Sequence, residues 1–283
     1  MSTSCAKTLK DSLDDVVELR PFPAAASQLM VACEKPDVTA REITGIIKHD
    51  PGLSIKLLQI ANSPLYGFAG EIRSVDHATV VLGMRALRDL AISTAVGGVF
   101  GTGDKETAKA RSELWLHSLA CGSVARTLAR TLGMQSPDEA FLGGIVHDVG
   151  KLFFYDAQPI EYSKLATSVP NTRAVNAERE FFGIDHTVAG HKCGQNLGLP
   201  EEINDVICFH HAPADADFGG ELIDAVAAAN QLCHVWNANS EDCVSATSGI
   251  LNAIRIDLSP EEIIEFQTQA TADIKIICEA YVG

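Results

Sequence analysis

Apolar positions along this chain recur at helical intervals, and no alternating polar and apolar run of strand length stands out. Three segments begin with a capping residue that is followed three positions later by glutamate, the pattern of a helix N-terminus. The three pairs are Thr39 with Glu42, Ser136 with Glu139, and Ser259 with Glu262. Gly133 and Gly198 follow helical runs, as left-handed helix stops do. We therefore predict an all-α fold.

The segment after Ser136 is predicted to form one helix that continues to about Phe153, with apolar side chains on one broad face. The other side carries small, polar and charged residues: Gly143, Gly144, His147, Asp148 and Lys151. Glycine inside a helix costs about 1 kcal/mol relative to alanine, and a solvated face does not require that cost. We expect another backbone or a ligand to approach this side closely.

The predicted helices group into three parts. Residues 15–110 form an N-terminal helical part, residues 111–236 form a histidine-rich half, and residues 237–283 form a C-terminal helical tail. A polar, glycine-containing stretch from about residue 98 to residue 113 lies between the first two parts. We find no internal repeat and no low-complexity segment.

Charge and composition exclude several classes of function. The net charge is −15 with a pI near 4.9, so binding to nucleic acid or to an anionic membrane surface is disfavoured. No signal peptide and no apolar stretch of membrane-spanning length is apparent, so we expect a cytoplasmic protein. The 8 cysteines include no CxxC pair and are expected to be reduced, mostly buried residues.

Histidines are the candidate chemical groups of the second half. Four predicted helices deliver them, at positions 117, 147, 186 and 210–211, and Asp148 is adjacent to one. Imidazole and carboxylate together are ligands for ions such as Zn, Fe and Mn. Taken singly, a histidine on an inward face is most often a core residue, and a histidine at a helix C-terminus interacts with the dipole. Sequence spacing leaves both interpretations open.

The motifs of the second half resemble the HD superfamily of metal-dependent phosphohydrolases. They are Leu116-His117-Ser118, Val146-His147-Asp148-Val149-Gly150-Lys151, Gly183-Ile184-Asp185-His186 and His210-His211. The first half resembles the HDOD domain, the branch of that superfamily associated with signalling. Its motifs are Asp50-Pro51-Gly52-Leu53, Ala61-Asn62-Ser63 and Tyr66-Gly67. The resemblance covers residues 15–236. It implies an N-terminal helical subdomain, a C-terminal HD-like helical bundle and a role in bacterial signal transduction.

The resemblance also implies a set of site residues. The metal ligands would be His117, His147, Asp148, His186, His210 and His211, with Glu178 where some two-metal members have an acidic ligand. Asn230 stands where an HD domain usually has its closing aspartate, and it is a weaker ligand. Lys151 and Asp148 are the candidate catalytic residues. The implied cofactor is one or two divalent transition ions, iron first, with Mn, Zn or Ni as alternatives.

Three functional hypotheses follow. The first is a signalling module of the HDOD type that contacts a protein partner, binds metal and does not turn over a substrate. The second is an active phosphohydrolase acting on a phosphate ester or cyclic nucleotide, although the GYP signature of one HD branch is absent after His211. The third is a purely structural helical scaffold. The segment around Asn62 is predicted to close a helix by local hydrogen bonds, with a recognition surface as the alternative.

Overall fold

The computed structural model describes residues 24–33, 37–64, 66–68, 71–100, 105–216, 220–237 and 243–282. Within these ranges the regular structure is helical and no strand occurs, so the all-α prediction is confirmed. The side chains of Cys5 and Cys33 lie outside what the structure describes. The other cysteines form no disulfide. Cys121, Cys193 and Cys233 are buried as expected, whereas Cys208, Cys243 and Cys278 are only half-buried.

Five helices of the described residues form the N-terminal part. They are α1 (Ala24–Cys33), α2 (Ala40–His49), α3 (Pro51–Ala61), α4 (Val75–Leu82) and α5 (Met84–Phe100). Asn62 closes the loop after α3, because its side chain donates to the Ile72 carbonyl at 2.8 Å and accepts from the Ile72 amide at 2.7 Å. This confirms the predicted local hydrogen bonding of Asn62, while Leu65 of the same motif lies outside the described residues.

Ten further helices follow. They are α6 (Ala108–Thr131), α7 (Pro137–Val146), α8 (Lys151–Ala157), α9 (Pro159–Ser168), α10 (Ala174–Phe182), α11 (His186–Leu197), α12 (Glu201–Phe209), α13 (Gly220–Asn237), α14 (Cys243–Ala253) and α15 (Pro260–Val282). Short 3₁₀ turns lie at Asn171–Arg173 and Pro213–Asp215. The long helix α6 packs against α7, α13 and α15, and its inner half is buried apolar core.

The predicted helix boundaries are mostly confirmed, but Ser136 makes no side-chain capping hydrogen bond at the start of α7. Thr39 and Glu42 form a reciprocal capping box, and Ser259 and Glu262 form another. Gly133 and Gly198 adopt positive φ angles of 71° and 66° at the predicted stops. In the part of the chain that the structure describes, no helix is long and apolar enough to cross a membrane.

The prediction of one helix from Ser136 to about Phe153 is wrong. Helix α7 ends at Val146, residues 147–150 form turns, and α8 begins at Lys151. Backbone amides in this stretch bond to the carbonyl three positions earlier, which tightens the chain. Gly150 lies directly against the backbone of α11 at His186 and Gly190, so tertiary packing fixes the break.

The expectation of close backbone approach on the glycine side is confirmed. A Cβ on Gly144 would lie 2.5 Å from the Cα of Gly122 in α6, so α6 and α7 cross in direct backbone contact. His147 and Asp148, immediately beyond this contact, are completely buried. The side of α7 that carries the glycines is therefore interior, and it positions the candidate site.

Candidate metal centre

Asp148 lies at the middle of a cluster of imidazoles. Its Oδ2 lies 3.3 Å from His147 Nε2 and 3.8 Å from His117 Nε2. Its Oδ1 lies 3.4 Å from His186 Nε2 and 3.7 Å from His210 Nε2. The ligand atoms form two groups that share Asp148, and within each group they all lie within 4.8 Å of one another. The groups are His117, His147 and Asp148, and Asp148, His186, His210 and His211.

Four separate elements bring these side chains together. His117 lies in the middle of α6, and His147 and Asp148 lie in the turn after α7. His186 is the first residue of α11, where Asp185 caps the helix by accepting hydrogen bonds from two backbone amides. His210 and His211 directly follow α12. Because α7 ends at Val146, the side chains of His147 and Asp148 lie in a turn that contributes them to the cluster.

The Nδ1 atoms of three histidines, at positions 147, 186 and 210, are hydrogen-bonded to other groups of the protein. His147 Nδ1 lies 2.7 Å from the Gly144 carbonyl, and His210 Nδ1 lies 3.0 Å from the Ile207 carbonyl. Since a carbonyl oxygen can only accept, each Nδ1 carries the proton and donates it. When the ring is neutral, its lone pair is then on Nε2, the atom that faces Asp148, and this is the tautomer in which proteins hold histidine as a metal ligand.

Several atoms at the centre of the cluster have no partner. His147 Nε2, His210 Nε2 and Asp148 Oδ1 are buried and accept no hydrogen bond from the described part of the chain. Buried polar atoms nearly always have a hydrogen-bond partner, because without one they lose their hydrogen bonds to water and gain none in the protein. One of these two imidazoles belongs to each ligand group, and Asp148 belongs to both groups. Bare imidazole and carboxylate atoms of this kind fit divalent transition ions.

Glu178 hydrogen-bonds to His186 through Nδ1, the ring nitrogen that does not face Asp148. Its Oε2 accepts from His186 Nδ1 at 2.6 Å and from the His186 backbone amide at 2.8 Å. Its Oε1 accepts from the Tyr162 hydroxyl at 2.8 Å. Both carboxylate oxygens are therefore engaged, and in this arrangement Glu178 orients His186. Glu178 belongs to neither ligand group, so the direct bond to metal that the resemblance implies has no counterpart in this geometry.

Asp148 and Lys151 form a close ion pair, with Lys151 Nζ 2.6 Å from Asp148 Oδ2. Burial raises the pKa of this carboxyl, but His147 and Lys151 outweigh burial and hold the pKa well below its usual range. Asp148 is therefore an anion at neutral pH. The Lys151 side chain is 13% exposed and lines a cavity, so its ammonium lies between the cluster and incoming molecules.

Asn230 lies beside His117, with its Oδ1 3.1 Å from His117 Nε2. The structure thus brings the amide to the place where the resemblance implies a closing aspartate. Burial is the main cause that lowers the pKa of His117 to about 3, so this ring is neutral near pH 7. An amide oxygen in this position adds a ligand without adding the negative charge that a carboxylate would supply.

His210 and His211 are also neutral at physiological pH. Burial lowers the pKa of His210 to about 4 and that of His211 to about 2. His211 Nε2 lies 3.1 Å from His186 Nε2. Because a metal ligand must be deprotonated, imidazoles that are already neutral bind a cation with little competition from protons.

Comparison with protein families identifies the family of this chain. The HDOD domain model matches residues 19–213. The chain belongs to the HDOD family. The match ends before α13, so Asn230 lies beyond it, and the extent of residues 15–236 taken from the motifs is only partly covered. An uncharacterised protein from Treponema pallidum is 29% identical over 81% of this chain, and the chain spans 44% of that relative.

Solved structures share the architecture. A candidate phosphohydrolase from Shewanella amazonensis superimposes with a TM-score of 0.76 at 24% identity, covering 96% of this chain and 97% of that one. A candidate signal transduction protein from Marinobacter aquaeolei gives a TM-score of 0.71 at 19% identity, covering 99% of this chain and 66% of that one. At these identities the likeness shows the shared HDOD fold.

The structure adds one histidine that sequence reasoning missed in this HDOD chain. The His234 ring packs against His117 with ring centroids 4.7 Å apart, and its Nε2 is buried with no hydrogen-bond partner among the described residues. His234 follows Asn230 by four positions in α13, so the two share a helix face. That spacing was the available signal.

The remaining described histidines lie elsewhere. His191 contacts the Asn204 carbonyl at 3.4 Å and belongs to neither ligand group. His49 Nδ1 lies 2.6 Å from the Gly45 carbonyl within α2, and the His77 amide donates to Ser74 at the start of α4. The HDOD fold thus separates structural histidines from those of the centre.

Proposed function

We propose that this chain is a signal-transduction module of the HDOD type that binds one or two divalent transition-metal ions at the histidine centre. The observation that carries the proposal is a set of buried atoms around Asp148 that have no hydrogen-bond partner among the described residues: His147 Nε2, His210 Nε2 and Asp148 Oδ1. Family membership and the similar signal transduction candidate from Marinobacter support the signalling role.

The chain offers two overlapping sets of ligands. His117, His147 and Asp148 would hold one ion, and His186, His210, His211 and the same Asp148 would hold another. The mixture of imidazole and carboxylate suits iron, our first expectation, and also Mn, Zn or Ni. When bound, such an ion supplies Lewis acidity and lowers the pKa of a bound water.

Signalling without turnover is favoured because Asn230 contributes no charge at the closing position beside His117. We further propose that the module acts through a signalling protein partner, that residues 15–110 form its N-terminal helical part, that residues 111–236 carry the centre, and that residues 237–283 form a C-terminal helical tail, whose last helix packs against α6. Nucleic acid and anionic membranes remain disfavoured partners because the chain carries a net charge of −15.

A second candidate function is a metal-dependent phosphohydrolase. It is favoured by Lys151, whose ammonium contacts Asp148 and lines a cavity next to the centre, where it can face a phosphate oxygen. The similarity to the candidate phosphohydrolase from Shewanella supports it as well. Its substrate would be a phosphate ester or a cyclic nucleotide.

Metal content tests the first proposal. The purified chain, after loading with Fe, Mn or Zn and removal of free ions, should retain roughly one to two equivalents. His147→Ala and Asp148→Asn should lose most of the metal, whereas His191→Ala, a histidine outside both groups, should retain it. Less than about a tenth of an equivalent in the loaded parent chain would refute the metal centre.

Hydrolysis tests the second candidate on the same metal-loaded samples. If the chain is a phosphohydrolase, it should release 4-nitrophenol from bis(4-nitrophenyl) phosphate or 4-nitrophenyl phosphate. Lys151→Met should lower the rate while metal content is unchanged, because Lys151 would contact the phosphate. Metal-loaded protein that releases no nitrophenol from either ester supports the module without turnover.

A further inference from the structure

A cavity of about 450 Å³ opens beside the metal centre. Helices α6, α8, α9, α10 and α13 all contribute to its lining. Its volume falls within the range of small-molecule sites in proteins. His117, Asp148 and Lys151 form one end of it, so a molecule in the cavity would touch the centre.

The rest of the lining is mainly apolar. Its small and aliphatic side chains belong to α6, α9, α10 and the turn after α9: Ala110, Leu114, Leu165, Ala166, Val169 and Ala174. Ser163 and Thr167 of α9 also line the cavity, and their hydroxyls donate to backbone carbonyls of that helix. Tyr155 and Tyr162 join them and pack edge to face, with ring centroids 4.7 Å apart. The Tyr162 hydroxyl is already bonded to Glu178, so its ring is what remains for a ligand.

Charge limits how many phosphate groups the cavity can accept. Among the described residues that line it, Lys151 is the one lysine or arginine, against the three carboxylates Glu113, Asp148 and Glu178. Asp148 and Glu178 are engaged with histidines and Lys151, but Glu113 is exposed on α6. A second phosphate beyond the first would face apolar groups or this glutamate.

The His234 side chain adds an imidazole nitrogen to the polar groups near the metal centre. Its Nε2 is buried and has no hydrogen-bond partner in the described ranges, and the residue lines the cavity next to His117. A buried polar nitrogen without a partner is costly unless a ligand supplies one. Lys151 and His234 both line the cavity with Asp148 and His117, and there they can contact the same anionic group.

We propose that this cavity binds a phosphate monoester with a compact, largely apolar body, its single phosphate contacting Lys151 and His234 at the metal end and its body lying against the side chains of α9. The inference rests on the proposed metal centre and names the ligand class of that same site.

Stable phosphonates test the ligand class by calorimetry on the metal-loaded full chain, because their P–C bond resists hydrolysis. Phenylphosphonate should bind about tenfold more tightly than methylphosphonate, since only the ring can reach the apolar end. Benzene-1,4-bisphosphonate should bind more weakly than phenylphosphonate, because its second anionic group would lie at that end. Equal affinity for the phenyl and methyl compounds, or tighter binding of the bisphosphonate, would overturn the inference.

Variants separate the two ends of the cavity. Leu165→Gln should reduce the preference for phenylphosphonate over methylphosphonate and leave methylphosphonate binding unchanged. His234→Phe keeps a ring against His117 but removes the nitrogen, so it should weaken both phosphonates about equally, and His234→Gln should restore part of the loss. An unchanged affinity in His234→Phe would refute the role of His234 and with it the placement of the phosphate.

Metal analysis of the same samples distinguishes the two proposals. If the chain holds metal and binds methylphosphonate, but shows no preference for the phenyl compound, only the ligand class is wrong. If the chain holds no metal after loading, the proposed function is wrong and this inference is wrong with it.

Discussion

Three histidines of the centre use one ring nitrogen to bond the protein and leave the other for the middle of the site. For His147 and His210 the partner is a backbone carbonyl of the preceding helical turn. For His186 it is the carboxylate of Glu178, an anion that raises the basicity of the ring. At the scale of residues, therefore, the strength of the centre depends on groups that do not themselves have to touch an ion.

Glu178→Gln tests this support. The glutamine oxygen can still accept from His186 Nδ1, but it carries no charge, so metal affinity should fall by about 10- to 100-fold. Competition with a chelator measures the change. Tyr162→Phe is the matched control, because it removes only the hydrogen bond to the other oxygen and should alter affinity less. An affinity in Glu178→Gln equal to that of the parent chain would contradict the orienting role.

Asn230→Asp tests the departure from the HD pattern. A carboxylate 3.1 Å from His117 Nε2 would add a charged oxygen ligand, so affinity at the group of His117 and His147 should rise by about tenfold or more. If the chain is a phosphohydrolase, its rate should rise too. Asn252→Asp makes the same change of charge at an exposed position of α14, away from the cavity lining, and serves as the control. A metal affinity no higher in Asn230→Asp than in Asn252→Asp would argue against position 230 as a ligand.

Single residues were predictable where a motif names them. The imidazoles of positions 117, 147, 186, 210 and 211 and the carboxylate of Asp148 meet in one cluster, as the resemblance implied. The sequence could not show which nitrogen of each ring faces inward, because that depends on the carbonyl or carboxylate behind it. It also did not reveal His234, because the contact of its ring with His117 forms only in the folded chain.

At the scale of elements, the decisive feature is the end of α7. Periodicity alone favours continuing this helix, because apolar residues recur at helical intervals up to Phe153. The chain turns at residues 147–150 because Gly150 lies against α11 and Gly144 lies against α6. Contacts between distant helices decide this geometry, and local pattern does not contain them.

Gly144→Ala tests the crossing of α6 and α7. Its new methyl group would lie 2.5 Å from Gly122 Cα and 2.6 Å from Gly122 N, so the helices must separate. Overpacking of this kind should lower the free energy of unfolding by about 2–3 kcal/mol, as measured by urea denaturation. Gly45→Ala in α2 is the control, because nothing lies within 4 Å of its new methyl, and it should be stabilising by up to about 1 kcal/mol. Equal stabilities in the two variants would show that α6 and α7 can separate freely.

At the scale of the whole molecule, an acidic chain encloses a group of buried neutral histidines. The net charge of −15 favours uptake of a cation. His117, His210 and His211 are neutral at physiological pH, which is the form that binds a metal ion. In the metal-free chain, burial lowers the pKa of His117 to about 3, that of His210 to about 4 and that of His211 to about 2. These shifts link folding to pH.

The metal-free chain should lose stability as the pH falls below about 6.5, the pKa of histidine in an unfolded chain. Each of the three histidines binds a proton more readily when unfolded, so each contributes a loss of about 1.4 kcal/mol per pH unit down to its folded pKa. Asp89 acts in the opposite direction between about pH 6 and 4, because burial raises its pKa to about 6. Burial also lowers the pKa of His234, which adds to the loss, and raises the pKa of Asp224, which opposes it. The histidines outnumber the carboxyls, so the net change should be a loss of stability as the pH falls.

Denaturant unfolding at pH 7, 6 and 5 in the presence of a chelator measures this dependence. His211→Gln removes one of the three groups and should make the dependence shallower by about 1.4 kcal/mol per pH unit, whereas His191→Gln, outside the centre, should leave it unchanged. A stability that is constant from pH 7 to 5 would mean that the imidazoles are protonated or exposed in the folded chain. Because a buried imidazole without metal is stable only in its neutral form, the slope reports whether the centre is preorganised for a cation before one binds.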